Sequence, residues 1–166
     1  MANLNDAPAV SAEGFATVRL GEDAGCEHLG ASLYELQPGQ GMVFHYHLQR
    51  EELLVVIRGT LALRTASSWR NLAEGDVIAF PRGEQGAHGY ENRSDATTRI
   101  LMISEQNAPN VSVYPDTNQV GIFDAASRPS RRFGALFQRC GCRLRLRPRP
   151  RRDRASKGAV GARSVG

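Results

Sequence analysis

The stretch GQGMVFHYHLQREELLVVIRG, residues 39–59, decides the fold. His45 and His47 are two residues apart in a predicted β-strand, so both side chains project from the same face. A short turn then returns the chain, and Glu52 opens an apolar strand that ends before Gly59. Imidazole and carboxylate groups inside an apolar barrel are costly unless they are paired or bind an ion. Together on one wall they suit a borderline divalent metal.

A second stretch, GDVIAFPRGEQGAHGYEN, lies at residues 75–92. Pro81 and Gly83 are typical of a turn. His88 then starts a further predicted strand, and Tyr90 shares the face of His88 because the two are two residues apart. The sequence therefore predicts a third imidazole on an inward-facing surface.

Short strands separated by turn residues continue on both sides of these stretches. No part of residues 15–127 shows a convincing helical period of 3.6 residues. Regularly spaced short strands with turn signals indicate an all-β sandwich or barrel. The predicted strands are 31–36, 42–47, 52–57, 61–65, 76–80, 87–91, 97–104, 111–114 and 119–123.

The two stretches resemble the two motifs of the cupin superfamily, G-x5-H-x-H-x4-E-x6-G and G-x5-P-x-G-(spacer)-H-x3-N. The first motif fits at every position. The second has four residues between Gly83 and His88, where two are usual. The resemblance covers about residues 30–105, with flanking strands to 125. It is greatest to small, single-domain bacterial members that carry a V-x-x-YPD-x-N-x-VG segment, here residues 111–121.

This resemblance implies a double-stranded β-helix, the cupin jelly-roll barrel. It also implies that His45, His47, Glu52 and His88 hold one divalent transition metal: Fe, Mn, Zn, Ni or Cu. Three imidazoles and one carboxylate would leave open positions for water, dioxygen or substrate, which distinguish a catalytic metal site from a structural one.

Each expected ligand has an ordinary alternative. His45 and His47 could be two exposed strand histidines, and His88 could be a core histidine bonded to a backbone carbonyl. Glu51 competes with Glu52, although only Glu52 keeps the motif spacing to the following glycine.

Other residues are expected near the site or outside it. Val43, Leu54 and Val56 are expected to line the barrel beside the metal. Tyr90 could contact a substrate or simply fill the barrel. His28 fits neither motif and is expected on the surface.

The function predicted from this resemblance is a metal-binding cupin that acts on a small molecule by oxygenase, decarboxylase or isomerase chemistry. The alternative is a non-catalytic module that binds a small ligand for regulation or storage. The barrel region has no lysine, which disfavours sugar-phosphate substrates. A homodimer is expected, paired through a sheet edge that would otherwise be exposed.

The charge of the chain is divided sharply. Residues 1–127 contain eight arginines against sixteen acidic residues, a net charge of −8, and residues 128–166 contain thirteen basic residues against one acid, a net charge of +12. We therefore predict a flexible N-terminus at 1–14, a barrel at 15–127 and a disordered Arg/Pro-rich tail at 128–166. Nucleic-acid binding by the barrel is not expected. The tail itself could bind polyanions, or it could result from GC-rich DNA read in the wrong frame.

Targeting signals are not apparent. No apolar run approaches the roughly 18 residues of a membrane helix, and the N-terminus lacks the basic and apolar regions of a signal peptide. Three cysteines are too few for a disulfide framework. A cytoplasmic location is therefore expected.

Overall fold

The computed structural model describes residues 3–4, 10–12, 15–123 and 134–138. Within these ranges the chain is almost entirely β-structure. Its helical parts are a four-residue helix, α1, at Leu20–Asp23 and single 3-10 turns at Glu84–Gly86 and Pro115–Thr117. The strands are β1 (Val10–Ala12), β2 (Phe15–Val18), β3 (Leu29–Leu36), β4 (Gly41–His47), β5 (Glu52–Arg58), β6 (Leu61–Thr65), β7 (Trp69–Leu72), β8 (Val77–Phe80), β9 (His88–Glu91), β10 (Thr98–Glu105), β11 (Asn110–Tyr114), β12 (Gln119–Phe123) and β13 (Gly134–Gln138).

The strands form two antiparallel sheets. One has six strands in the order β1-β2-β3-β10-β5-β8, and the other has seven in the order β13-β12-β11-β4-β9-β6-β7. Strands adjacent in sequence, such as β4 and β5, lie in different sheets, so the chain repeatedly crosses from one layer to the other. This is the double-stranded β-helix of the jelly-roll class, and the predicted all-β fold is confirmed.

All nine predicted strands are present, with ends that differ by no more than two residues. α1 and the strands β1, β2, β7 and β13 were not predicted from the sequence. β7 is short and largely exposed, and its apolar and polar residues do not alternate. β1 and β13 lie in the segments expected to be flexible. They pair with β2 and β12 respectively, and the rest of both segments falls outside the described residues, apart from Asn3 and Leu4.

The core lies between the two sheets, where the inward side chains of both layers meet. Every second residue of a strand reaches this core, because successive side chains point to opposite faces of the sheet. The buried members are Leu36, Leu54, Val56, Leu61, Leu63, Leu72, Phe80, Tyr90, Ile100 and Met102.

A β-bulge interrupts this alternation in β4. Met42 pairs with Tyr90 and His45 with His88, so three steps along β4 match two steps along β9. Met42 packs against the core, whereas Val43 is 64% exposed. The prediction that Val43 lines the barrel interior is therefore wrong, because the extra residue turns it outward.

Gly89 of β9 accommodates the bulge. A Cβ atom on this residue would lie 3.1 Å from backbone atoms of Met42 and Phe44, closer than ordinary side-chain contacts. The four glycines at the motif turns have a different role, because all adopt positive φ angles that other residues resist. These are Gly39, Gly59, Gly75 and Gly83.

Among the residues described, no helix is long and apolar enough to cross a bilayer.

Candidate metal centre

Three strands from both sheets position the predicted ligands. His45 and His47 lie on β4, and His88 begins the neighbouring strand β9, directly opposite His45. Glu52 is the first residue of β5 in the other sheet. The centre therefore joins the two layers at one end of the barrel interior.

The ligand atoms are close together. One donor atom from each of His45, Glu52 and His88 lies within 4.8 Å of the other two. Glu52 Oε2 is 3.1 Å from His47 Nε2 and 3.5 Å from His88 Nε2. Two ligands that are each about 2.1 Å from one ion and at right angles to each other are roughly 3.0 Å apart. The separations at Glu52 thus suit ligands of a common ion.

Each imidazole is held through its Nδ1 atom. His45 Nδ1 donates a hydrogen bond to the Val43 carbonyl at 2.8 Å, and His88 Nδ1 donates to the Gly86 carbonyl at 2.9 Å. These bonds place the proton on Nδ1 and leave Nε2 with a lone pair. Ligand histidines in metal sites are commonly oriented in this way by such outer contacts.

The contacts of His47 come from β11. Its Nδ1 lies 3.0 Å from Asn110 Oδ1 and 3.0 Å from Ser112 Oγ. Both partners are buried, and Ser112 pairs directly with His47 in the sheet. Neither residue was predicted from the sequence. Ser112 lies in the V-x-x-YPD-x-N-x-VG segment, but at one of its unspecified positions, so the segment gives no signal for it.

The inner nitrogen atoms are the strongest indication of a ligand. His47 Nε2 and His88 Nε2 are buried and have no hydrogen-bond partner among the residues described. With the proton on Nδ1, their lone pairs face the carboxylate of Glu52, which also presents lone pairs. Buried polar atoms are normally satisfied, and a cation between these groups would satisfy all of them. The residues present therefore fit a divalent ion.

The electrostatic environment keeps the imidazoles of His45 and His88 neutral. Burial, together with the neighbouring His88 and His47, lowers the pKa of His45 from 6.5 to about 4. Burial also lowers the pKa of His88, whose ring stacks on Phe80 with centroids 3.7 Å apart. Neutral imidazole is the form that binds metals.

Glu52 is held in its charged form. Burial alone would raise the pKa of Glu52, but the close contact with His47 and the electrostatic influence of the three histidines together lower it. A carboxylate that is ionised at neutral pH gives the centre a negative charge that attracts a cation.

The structure also separates the alternatives. Glu51 is exposed, whereas the Glu52 side chain is 11% exposed and lies among the histidines. Tyr90 is buried in the apolar core, which favours the filling role over substrate contact. His28 is exposed, as expected.

A cavity of about 370 Å³ lies next to two neighbours of His45, although none of the four expected ligands lines it. Tyr114 stacks on the ring of His45 with centroids 5.9 Å apart, and the Val43 carbonyl holds the same ring. Both residues line the cavity, whose other walls are mostly aromatic and polar uncharged side chains. The remaining lining residues are Phe44, Asp116, Thr117, Gln119 and Phe123.

The fold and this cluster of histidine and glutamate side chains define the class of protein: a double-stranded β-helix with a candidate metal site inside the barrel. Comparison with known families makes the assignment specific, because residues 32–104 match the cupin domain family. The match covers less than half of the chain and, together with the fold, supports a small cupin-domain protein.

Two relatives are similar enough to inform function. The sequence is 29% identical over 87 residues to the tetracenomycin polyketide synthase protein TcmJ of Streptomyces glaucescens, covering 52% of this chain. The chain spans only 57% of the length of that curated relative. The fold is similar to the crystal structure of a sugar phosphate isomerase of the cupin superfamily from Silicibacter pomeroyi. That match has a TM-score of 0.70 and 28% identity, over 80% of this chain and 81% of the other.

A more distant structural match supports the fold alone. The polyketide cyclase RemF of Streptomyces resistomycificus is 22% identical, with a TM-score of 0.55, over 66% of this chain and 82% of that one.

Proposed function

We propose that this protein is a metal-dependent enzyme that acts on a small, largely apolar or aromatic carbonyl compound. The observation that carries the proposal is the pair of buried, unpartnered Nε2 atoms that face the Glu52 carboxylate at 3.1 and 3.5 Å. Of the oxygenase, decarboxylase and isomerase chemistries predicted from the sequence, we favour isomerase-type proton transfer beside a carbonyl group. The two informative relatives support this choice, because polyketides and sugar phosphates both carry carbonyl groups with acidic neighbouring protons.

His45, His47, Glu52 and His88 would hold the ion, whose identity the donor set leaves open among Fe, Mn, Zn, Ni and Cu. A bound ion supplies Lewis-acid polarisation of a substrate oxygen. The chain itself orients the imidazoles through contacts at their Nδ1 atoms. The partners are the carbonyls of Val43 and Gly86 and the side chains of Asn110 and Ser112.

Tyr114 is the side chain best placed to contact a substrate. Its ring lines the cavity and stacks on His45. Burial raises the pKa of its phenol, so the hydroxyl stays protonated at neutral pH. It can therefore donate a hydrogen bond to a substrate oxygen without acting as a base.

The cavity favours an uncharged substrate. Asp116 is the charged residue among its described walls, and Arg64 neutralises it through two hydrogen bonds to the carboxylate. Arg64 also lies 4.2 Å from the centroid of the Phe44 ring, so its guanidinium is engaged on two sides. An aromatic ligand can contact the rings of Phe44, Tyr114 and Phe123 in this cavity. The described cavity walls contain no unpaired cationic side chain that would bind a phosphate.

A second candidate substrate is a sugar phosphate. Besides the 28% identical isomerase, one observation favours it: Arg50 Nε is buried and lacks a hydrogen-bond partner in the described part of the chain. Arg50 follows the metal-site strand β4 and donates one hydrogen bond to the Asn107 carbonyl at 3.2 Å. An anionic group reaching this guanidinium would satisfy it.

One experiment tests the proposal and separates the candidates. The full chain is loaded with each candidate metal in turn and assayed with a short poly-β-keto thioester and with pentose and hexose phosphates. We expect turnover of the keto compound that requires the metal and falls at least about tenfold in Tyr114→Phe. Turnover of the sugar phosphate that is lost in Arg50→Gln would favour the second candidate. Metal-free protein that binds these ligands as tightly as loaded protein, without turnover of either, would favour the non-catalytic binding module.

A further inference from the structure

Strands β11 and β12 form a hairpin that ends in a short helical tip. The strands pair along their whole length, and the 3-10 turn Pro115–Thr117 and Asn118 connect them. We call residues 114–119 the tip. Strand β4 contributes Val43 and Phe44 to the walls of the cavity, and the tip contributes four side chains. These four are Tyr114, Asp116, Thr117 and Gln119.

The hairpin is attached to the barrel over a short length. β11 pairs with β4 at Ser112–His47 and at Val113–Tyr46, and the pairing ends there. By comparison, β10 pairs with β3 along all eight of its residues. The tip therefore lies beyond the last paired residues of β11 and β4, and other contacts must hold it against the barrel.

A bidentate ion pair joins the tip to a strand that is not its neighbour. Nη1 and Nη2 of Arg64, on β6, both donate hydrogen bonds to the carboxylate of Asp116, and the Nη2 bond is 2.9 Å long. In the seven-stranded sheet, β4 and β9 lie between β11 and β6. The ion pair therefore reaches across the outer face of two strands.

Gly89 makes room for the arginine on this outer face. Arg64 pairs with Gly89 on β9, and a Cβ atom on Gly89 would lie 3.1 Å from backbone atoms of Phe44 on β4. The three residues thus form one row across three strands. Because Gly89 has no side chain, the guanidinium of Arg64 can extend along the row, where its Cζ atom lies 4.2 Å from the centroid of the Phe44 ring.

The strength of this ion pair suits reversible opening. The side chains of Arg64 and Asp116 are 33% and 48% exposed, so solvent screens their attraction and salt weakens it further. The bidentate geometry and the ring contact make the pair stronger than a simple surface ion pair. Such a contact can break and form again while the barrel stays folded.

We propose that the tip is a flap over the cavity and that the Arg64–Asp116 ion pair is the latch that keeps the flap closed. When the ion pair breaks, residues 114–119 move away from β4 and open the cavity to solvent, while the paired base of the hairpin stays in place. Tyr114 moves with the tip and loses its stacking on the His45 ring. Ligands enter when the latch is open and are enclosed when it closes.

The latch controls access to the cavity and is independent of the reaction proposed above. It would serve an enzyme and a non-catalytic binding module equally, because neither Arg64 nor Asp116 is an expected metal ligand. It also makes access depend on ionic strength, since salt screens the exposed ion pair.

Fluorine NMR of the metal-free full chain, labelled with 3-fluorotyrosine, tests the flap without a substrate. The resonance of Tyr114 is assigned by its absence in Tyr114→Phe. In Arg64→Gln this resonance should move toward the shift of free 3-fluorotyrosine, and a dissolved gadolinium chelate should broaden it more than in the wild type. We expect the ratio of open to closed flap to rise about three- to tenfold, as for the loss of an exposed ion pair together with a cation–π contact.

Arg93→Gln is the matched control. Arg93 also pairs with a carboxylate, that of Glu91, and its guanidinium lies 3.8 Å from the centroid of the Trp69 ring. Glu91 belongs to β9 and not to the tip, so this variant should leave the Tyr114 resonance in place. Raising NaCl from about 0.05 to 0.5 M should open the wild-type flap and have little effect in Arg64→Gln.

The double variant Arg64→Gln/Asp116→Asn tests whether the two residues act through each other. It should open the flap no further than Arg64→Gln alone, because the first substitution has already removed the partner of Asp116. A Tyr114 resonance that stays at its wild-type position in Arg64→Gln, or that moves equally in Arg93→Gln, overturns the proposal. A double variant in which the two effects simply add overturns it as well.

Discussion

The interior of the barrel has two halves that are built from the same strands. The polar half contains His45, His47, Glu52 and His88, and the apolar half contains the buried cluster around Leu54. On β5 the inward face changes from Glu52 to Leu54 in two residues, and on β9 it changes from His88 to Tyr90 in two residues. The two halves therefore share a backbone and differ only in side chains.

This difference shows that the stability of the fold and the chemistry of the candidate site depend on different halves of the barrel interior. The apolar half removes hydrocarbon surface from water, which is the main favourable contribution to folding. The polar half is buried against it and loses hydration, which is why the pKa of His45 falls to about 4. An ion bound there would offset this loss of hydration and would stabilise the fold by mass action.

The largest effect is expected from the apolar half. Leu54 is fully buried, so Leu54→Ala removes packing and leaves a cavity two residues from Glu52. The free energy of unfolding should fall by about 2–5 kcal/mol, measured by urea denaturation, while the metal stoichiometry of the folded protein is retained. The control Leu48→Ala, at a 49% exposed position, should change it by less than about 0.5 kcal/mol. Loss of metal from folded Leu54→Ala would show that metal binding by the polar half depends on packing in the apolar half.

The second effect is confined to the polar half. Glu52→Gln keeps the shape of the side chain but removes its charge, so the affinity for Zn²⁺ should fall by more than about 100-fold, beyond the loss typical of outer contacts. Elemental analysis and competition titration with a chelator measure this. Glu51→Gln is the matched control, since Glu51 is the exposed neighbour and should bind metal normally. Equal losses in the two variants would refute the assignment of Glu52.

A smaller effect is expected where the polar half is supported from β11. Ser112→Ala and Asn110→Ala each remove one contact to His47 Nδ1, and each should weaken Zn²⁺ binding by about 10–100-fold. Asn107→Ala serves as the control, because its amide donates to the Gln49 carbonyl and does not contact His47. If Ser112→Ala and Asn110→Ala both bind metal as tightly as the wild type, these contacts do not hold His47 in place.

The smallest effect is the pH dependence of the metal-free protein. His45 has a pKa of about 4 when folded and 6.5 when unfolded, so the unfolded state binds more protons between these values. The histidine contribution to stability is therefore fully present above pH 6.5 and is lost as the pH falls toward 4. His88, whose pKa is also lowered by burial, acts in the same direction.

Thermal unfolding of chelator-treated protein between pH 7.5 and 5 measures this dependence. This window lies above the ordinary pKa of Glu52, so the carboxylate contributes little. The melting temperature should fall with pH, and His45→Gln should flatten the dependence. An unchanged slope in His45→Gln would show that His45 is not the titrating group.

The residues of the polar half could be named from the sequence because they follow fixed motif spacings. His45, His47, Glu52 and His88 were named from those spacings, and the structure brings them to one end of the barrel. The support for His47 from Asn110 and Ser112 was not predicted. It depends on how β11 pairs with β4, more than sixty residues away in sequence, and local patterns contain no such register.

Errors in the fold had local causes. Val43 was misplaced because strict alternation was assumed through β4, whereas the strand contains a bulge. Along β5 the alternation from Glu52 is uninterrupted, so Leu54 and Val56 face inward as expected.

The bulge in β4 has a consequence for how this strand tolerates changes in length. Deletion of Val43 would preserve the inward direction of Met42 and His45 but would remove the carbonyl that fixes the His45 ring. Insertion of one residue between Phe44 and His45 would turn His45 toward solvent. Natural variation in the length of this segment should therefore be far rarer than substitution within it.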